Sequence, residues 1–467
     1  MDNGLFVTVR FVAAMDVASD IAAEIGDGDR TARHIAAVIG RLITAGYLPV
    51  DSRLPTVREL SRQLGVSPTT VSEAWRSLAD VGAIEARGRN GTYVRLPMGP
   101  GGPRRYRRIT EGPGHFALDL SSGVPDPALL PDLGPVVSRV GKQSLTSSYL
   151  DHPVLPALEE ELVASWPFPP EAVTVVDGAM DALDRVAQHI LRLGDRVVVE
   201  HPTFPPLLDL LERLGCEVIG VDVDDHGLEA DGLRDAIAAR PTALFLQPRA
   251  QNPAGVALTA ARASALADAL AGSPTIVIED DHANDISNAP LVSLGRWLPE
   301  RTIHIRSYSK SHGPDLRLAA VGGCGDAVTA VANRRLLGPG WSSRILQATL
   351  VELLRDPATP EVMARARAAY ARRRALVCSV LADNGIATTG ADGINLWVDV
   401  AEERSATLAL AARSIGVAPG EPFLVRRDGD HIRVTVGLIT GSDDHVTNVA
   451  ADLAAAARSP RRAVHHR

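Results

Sequence analysis

The sequence predicts two unlike parts. Residues 118–467 read as an α/β domain with a mixed, mostly parallel sheet, and residues 30–95 as a small α+β module placed before it. Three observations carry this. From about Leu118 onward, strand-like runs alternate with helical ones, as they do when helices cross over between parallel strands. Residues 30–95 read instead as helices followed by a hairpin, and they hold ten Arg against five Asp and Glu. That segment is therefore near +5 while the whole chain is −8, leaving about −13 for the rest. Between the two parts lies a stretch rich in Pro, Gly and Arg. The total of 467 residues also exceeds a usual single domain.

Residues 1–29 are an N-terminal extension. The run "GLFVTVRFVAAM" is too short for a membrane span and has the wrong charge pattern for a signal peptide. It reads as a tail, or as sequence ahead of a true start at Met15. In the module itself, Ile35, Val38, Ile39 and Leu42 recur at helical spacing. A short helix follows over about Val57 to Leu64, then a turn at Gly65. Ser67 before Pro68 is a strong start signal, because the hydroxyl caps the helix and proline fits its first position. This second helix runs to about Val81. "AIEARGRNGTYV" reads as a hairpin turning at Asn90–Gly91. Helix, helix, turn, helix and β-wing make a winged helix-turn-helix, which presents the start of its second helix to base edges. Thr69, Thr70 and Ser72 stand there with Ser67, and Arg76 lies one turn on. Arg53 and Arg58 are placed to hold phosphates, and Arg87 and Arg89 sit on the wing. A solvated basic bundle that binds protein is the blander reading, but cap, turn, wing and local charge agree on DNA. "RLPTVRELSRQLGVSPTTVSEAWRSLADVGAIEARGRNGTYV" resembles the GntR family of winged-helix regulators almost continuously.

Residues 96–117 read as a linker, too polar and too broken to pack. In the large domain the expected strands are "AVTVVDG", "RVVVEHP", "EVIGVDV", "TALFLQP", "TIVIEDD" and "TIHIRSYSK". No internal repeat is visible. Cys216, Cys324 and Cys378 have no metal-ligand spacing and give no disulfide framework, which fits a reducing cytoplasm and predicts no metal site. No apolar run reaches the length of a membrane span.

Only two of the 48 basic residues are lysines, Lys142 and Lys310. Lysine differs from arginine in that a buried amine loses its proton more easily and can then attack a carbonyl. Lys310 sits in "SYSKSHGPDLR", where Ser307 and Ser309 can donate to a phosphate and Arg317 can neutralise it. It is thus a candidate Schiff-base former. By itself, "SYSK" fits a surface lysine at a strand end equally well.

Its companions decide. "SYSKSHGPDLR" resembles the lysine segment of fold-type I aminotransferases, which use pyridoxal 5'-phosphate (PLP). "VVDGAMDAL" resembles their phosphate cup, with Gly178 allowing close approach and the amides of Ala179 and Met180 at a helix start. The resemblance further implies Phe204 stacked on the pyridine ring, Asn252 of "RAQNPAG" on the ring hydroxyl, and Asp280 of "IVIEDDHANDI" on the pyridinium nitrogen. It implies Arg433 of "HIRVTVG" as the grip on a ligand carboxylate, and Tyr149 of "SSYLDHP" reaching the phosphate across a dimer interface. Two positions depart from the pattern. His282 replaces the usual tyrosine two beyond Asp280, where it could still bond the ring hydroxyl, and "DHPVLP" replaces the family turn beside Tyr149.

A GntR-like module, a linker and an aminotransferase-like domain together resemble the MocR subfamily of transcription regulators over about residues 30–450. This implies a PLP-dependent homodimer that binds operator DNA and senses a small amine or amino-acid-like effector, with weak transamination at most. A working aminotransferase carrying a DNA-binding appendage is a second reading, and a dimerisation scaffold that has lost its cofactor a third.

Overall fold

The computed structural model describes residues 17–26, 30–44, 47–49, 51–80, 83–88, 91–94, 104–110, 116–143, 145, 148 and 151–459. They form two compact units, a small one drawn from the first 101 residues together with 192–194 and 213–216, and a large one drawn from the rest of 102–467.

The small unit contains helices Val17–Ile25, Ala32–Thr44, Val57–Leu64 and Pro68–Asp80, then a hairpin of Ile84–Ala86 with Thr92–Val94. Ile35, Val38 and Ile39 are buried as their spacing predicts, with Leu60, Leu64, Val71, Trp75 and Leu78 from the next two helices. Thr56 and Glu59 close a capping box on Val57–Leu64, and Gly65 ends that helix at φ 67°. Such a left-handed turn suits a residue without Cβ. Ser67 Oγ then accepts the Thr70 amide at 3.1 Å and starts Pro68–Asp80. The N-terminal extension is shorter than the sequence reading has it. Ile21 and Ile25, four apart on Val17–Ile25, are buried in the same core, so that helix is part of the unit. Met15 and the run before it lie outside the described residues, as does Asn90 of the hairpin turn.

The large unit is built on an eight-stranded sheet. Its order is Ala172–Val176, Ala319–Gly323, Thr302–Ser307, Ile276–Asp281, Ala243–Leu246, Arg196–His201, Glu217–Asp224 and Gly227–Leu228. The central pairs from Thr302–Ser307 to Glu217–Asp224 are parallel. All six runs expected as strands are strands. The sequence reading did not single out Ala319–Gly323, which runs antiparallel to both neighbours and makes the sheet mixed. The 25-residue helix Thr359–Asp383 leads to a three-stranded antiparallel sheet, ordered Leu396–Asp399, His431–Val434, Ala418–Pro419. Val377, Leu381, Leu396, Ile432 and Leu453 share its core. No helix among the described residues is long and apolar enough to cross a membrane.

The stretch 96–117 does more than link. Arg104–Thr110 is a helix that packs on the large unit. Asp209 accepts the amides of Arg105 (3.1 Å) and Tyr106 (3.0 Å), capping the helix start. The Arg105 guanidinium donates to Glu212 (2.7 Å) and to the carbonyls of Pro422 (3.2 Å) and Leu424 (2.9 Å). Ile109 joins Trp397, Ala418, Phe423 and Leu424 in a small apolar cluster. Polar composition did not prevent packing here, because the partners are carboxylates and carbonyl oxygens.

Removing the Ser67 cap tests the start of Pro68–Asp80. Ser67→Ala should cost the helix about 1 kcal/mol, seen as faster amide hydrogen exchange across its first turns, whereas Ser67→Asp should keep the protection.

Candidate functional site

The parallel strands end their carboxyl edges around one pocket, the usual place for a ligand in such sheets. Along Ile276–Asp281, successive side chains point to opposite faces, and the two final carboxylates meet different fates. Asp281 accepts Arg249 through both oxygens (3.1 and 2.5 Å) and the Asn284 amide at 3.1 Å. Burial opposes its charge, but the Arg249 guanidinium prevails and holds the carboxyl below its ordinary range. Asp280 turns to the other side. Its Oδ2 accepts Gln247 Nε2 at 2.8 Å, while its buried Oδ1 has no donor among the described residues. Burial raises its carboxyl, with His282 and Gln247 opposing. Two strands away, on Arg196–His201, burial pushes the Glu200 carboxyl up to about 8; this side chain accepts the Gln247 backbone amide at 3.0 Å. Phe204, Thr203, Glu200, Gln247 and Asp280 line the same pocket.

Lys310 lies three residues beyond the end of Thr302–Ser307, half-buried. Burial pushes its ammonium down to about 8, the Arg433 charge adds to this, and Asp280 opposes it. Ser307 is buried and its Oγ accepts the Ser309 amide at 3.3 Å, holding the turn that carries the lysine. Gly178 stands at φ 103° as the cap of helix Ala179–Ile190, whose first residues are Ala179 and Met180. A Cβ on Gly178 would come within 2.9 Å of the Arg317 guanidinium, which donates to the Asp177 carbonyl at 3.2 Å. Glycine is thus needed for both conformation and space.

Asn252 is buried, donates its amide to Gln247 Oε1 at 2.8 Å, and receives Asn395 Nδ2 at 3.4 Å. His282 Nε2 bonds the Ala250 carbonyl at 2.9 Å, so only Nδ1 is left to face a ligand. Burial lowers the His282 pKa and favours the neutral ring. Arg433 is buried 5.3 Å over the Phe423 ring and donates to the Ser121 carbonyl. It makes no ion pair among the described residues, and burial pushes it down to about 10. Tyr149 lies outside the described residues.

These groups fit PLP. Asp280 Oδ1 lacks a donor where the pyridinium N–H is expected, Gly178 is cleared beside Arg317 for a phosphate, and burial brings the Lys310 ammonium down to about 8, which eases loss of its proton. When bound, PLP supplies an aldehyde and an electron sink; Asp280 would hold its ring protonated, Lys310 would be the amine to join it, and Arg433 would hold an anion nearby.

The sequence reading missed Gln247 and Asn395, which set the rotamers of Asp280 and Asn252. Gln247 was findable: it is the polar residue directly after the apolar strand Ala243–Leu246. Asn395 carries no such signal.

On the small unit, Thr69, Arg76, Arg53 and Arg58 are exposed, and Thr70 and Ser72 partly so. Ser67 and Thr70 hydroxyls bond each other at 2.9 Å, which ties both to the cap. Arg87 is already engaged. It pairs with Asp51 at 2.7 Å and with Glu85, and lies 4.7 Å over the Tyr93 ring. Arg89 lies outside the described residues.

Comparison with known proteins agrees with both halves. Residues 31–94 match the family of bacterial regulatory proteins, gntR family, and residues 117–453 match aminotransferase class I and II. The vitamin B6 salvage pathway transcriptional repressor PtsJ of Salmonella typhimurium is 35% identical over 434 residues, covering 91% of this chain and 98% of PtsJ. The pyridoxine biosynthesis transcriptional regulator PdxR of Corynebacterium glutamicum is 29% identical, covering 74% and 77%. Among solved structures, the α-aminoadipate aminotransferase LysN of Thermus thermophilus superposes with a TM-score of 0.67 at 21% identity, covering 75% of this chain and 94% of LysN, a likeness of fold. With its DNA-binding module and its aminotransferase-like domain each accounted for, the chain belongs to the MocR subfamily of GntR-type, PLP-dependent transcription regulators.

Proposed function

We propose that this regulator acts in the cytoplasm as a homodimer, that an amine or amino-acid-like ligand entering at Lys310 is its signal, and that the genes it controls serve vitamin B6 supply. The last point rests on the relative PtsJ, a repressor of the vitamin B6 salvage pathway. The observation that carries the sensing is the position of Arg433. A buried guanidinium without a carboxylate partner is costly to leave unpaired, and it stands close enough to Lys310 to depress the amine. A ligand with an amine and a carboxylate would satisfy both. Beneath Arg433 lies Phe423, and Phe423 packs with Ile109 of the docked helix Arg104–Thr110. The ligand's charge is thereby felt one contact away from the stretch that leads to the DNA-binding module.

DNA reading in this proposal falls to Thr69, Ser72 and Arg76, with Thr70 and Ser67 as supporting caps, and with Arg53 and Arg58 on phosphates. Arg87 contributes less than wing position alone suggests, because Asp51 and Glu85 already neutralise it.

Cofactor capture should depend on the Lys310 proton. Capture by the cofactor-free chain, followed as growth of the bound cofactor's visible absorbance, should accelerate through about pH 8 as the amine is freed. Arg433→Gln removes a positive neighbour, so the midpoint should move upward. Lys310→Ala should lose the borohydride-trapped adduct; an adduct retained on another residue rejects the assignment.

Operator binding separates the DNA contacts. Arg76→Ala should lose roughly 1–3 kcal/mol of specific binding. Arg58→Ala should weaken specific and non-specific binding alike and flatten the salt dependence. Arg87→Ala should do neither strongly. Unchanged sequence preference in Arg76→Ala would mean that the helix is presented differently.

The linker helix gives a test of coupling. Ligand and DNA affinities should alter each other by the same factor, commonly 1–3 kcal/mol. Arg105→Ala should leave cofactor capture intact while erasing that factor, measured by titrating amino acids with and without operator DNA. Efficient keto-acid turnover with no change in DNA affinity would favour an enzyme over a sensor.

A further inference from the structure

The phosphate subsite contains an electrostatic conflict. The start of helix Ala179–Ile190 is the natural seat of a phosphate, yet carboxylates flank it at Asp177, just before the Gly178 cap, and at Asp181, in the first turn. Two unmatched negative charges there would compete for the same amides and repel a dianion. Arg335, from the helix Gly325–Leu336, resolves the conflict. It is 1% exposed, and its Nη1 reaches Asp181 Oδ2 at 2.8 Å and Asp177 Oδ2 at 3.2 Å, while Nη2 reaches Asp177 Oδ2 at 3.1 Å. Ser342 donates to the other Asp177 oxygen at 2.6 Å and accepts from Arg335 at 3.0 Å. Arg185 takes the remaining Asp181 oxygen at 2.8 Å. Both carboxylates are thus matched in charge and fixed in direction. Arg317 rests on the Asp177 carbonyl, not on its carboxylate, and keeps its own charge for the ligand.

We infer that Arg335 is a positioning residue of the phosphate subsite: it neutralises and turns aside Asp177 and Asp181, so that this regulator takes a phosphorylated pyridoxal in preference to the unphosphorylated form. The inference rests on the reading that the Lys310 pocket holds PLP, and it names what makes that site selective. No contact of Arg335 with the ligand is required. Its action passes through the two aspartates, so the loss on removing it must depend on their charge.

The test compares PLP with pyridoxal on the full-length protein, by titration of bound-cofactor absorbance. Arg335→Met should weaken PLP by about tenfold or more, the scale of one unneutralised charge beside a dianion, and leave pyridoxal within about twofold. Asp177→Asn in the Arg335→Met background should recover most of the lost PLP affinity. Should Arg335→Met fail to fold, Asp177→Asn alone decides: with the repelling charge gone, PLP should bind at least as tightly as before and the preference over pyridoxal should persist. Equal weakening of both ligands in Arg335→Met, no recovery in the double variant, or a lost preference in Asp177→Asn would each overturn the clamp while leaving PLP binding in place. Absence of PLP binding by the unmodified protein would overturn the cofactor reading, and the clamp with it.

Discussion

One carboxylate oxygen without a donor organises the large unit. Asp280 Oδ1 is buried at the carboxyl end of a central parallel strand, where an uncompensated charge is costly. Strand alternation dictates the place: Asp281 turns to Arg249, and Asp280 turns to the pocket. Its neighbours then arrange themselves around that charge. Gln247 fixes Oδ2 through its amide nitrogen and, through its amide oxygen, positions the Asn252 backbone. Glu200 can sit nearby because burial keeps it largely protonated at neutral pH. His282 and Lys310 both favour the charged form of Asp280, against burial. A protonated ring nitrogen is the missing partner this arrangement can accept.

Arginine and lysine divide the work by their chemistry. Arginines hold the architecture. Arg249 locks Asp281, Arg335 spans Asp177 and Asp181, and Arg374 gathers carbonyls of Asp392 and Asn395 between the long helix and the C-terminal sheet. Each exploits a planar fork that stays charged when buried. Arg433 belongs to the same class by burial but, unlike Arg249 and Arg335, makes no ion pair among the described residues. The one lysine in the site is the group that must lose a proton, and its surroundings ease that loss.

Much of this was legible because short-range rules fix it. Ser67 before Pro68 and the glycine after Leu64 specify their helix ends within a few residues. The alternating runs specified six strands for the same reason. The candidate cofactor residues could be picked out as a series, since Gly178, Phe204 and Asp280 each sit at a strand or helix end, and Asn252 and Lys310 follow strand ends by a few residues. What was not legible is pairing at long range. Arg335 meets Asp177 from 158 residues away, and nothing local to either announces it. Ala319–Gly323 hid as a strand because small residues carry little β signal. Arg104–Thr110 looked like an unpackable linker, since its partners are Asp209, Glu212 and carbonyls of residues 422 and 424, all more than a hundred residues on.

Those distant partners place the docked helix at a junction. The segment Glu421–Val425 is held from three directions. Thr203, beside Phe204 in the pocket lining, donates its amide to the Phe423 carbonyl at 2.9 Å. Arg433 lies over the Phe423 ring, and Arg105 grips the carbonyls on either side of it. A packed cluster of this kind responds to a charge change by shifting between discrete arrangements rather than by yielding smoothly. Pairing Arg433 with a carboxylate would weaken its hold on the Ser121 carbonyl and on the Phe423 face. The strain would reach Ile109 and Arg105 directly, with no need for movement of the eight-stranded sheet. In the proposed sensor a rigid sheet and a short, separately pinned helix would therefore suit one another: the first would keep the binding geometry fixed, and the second would be small enough for one ligand's binding energy to displace.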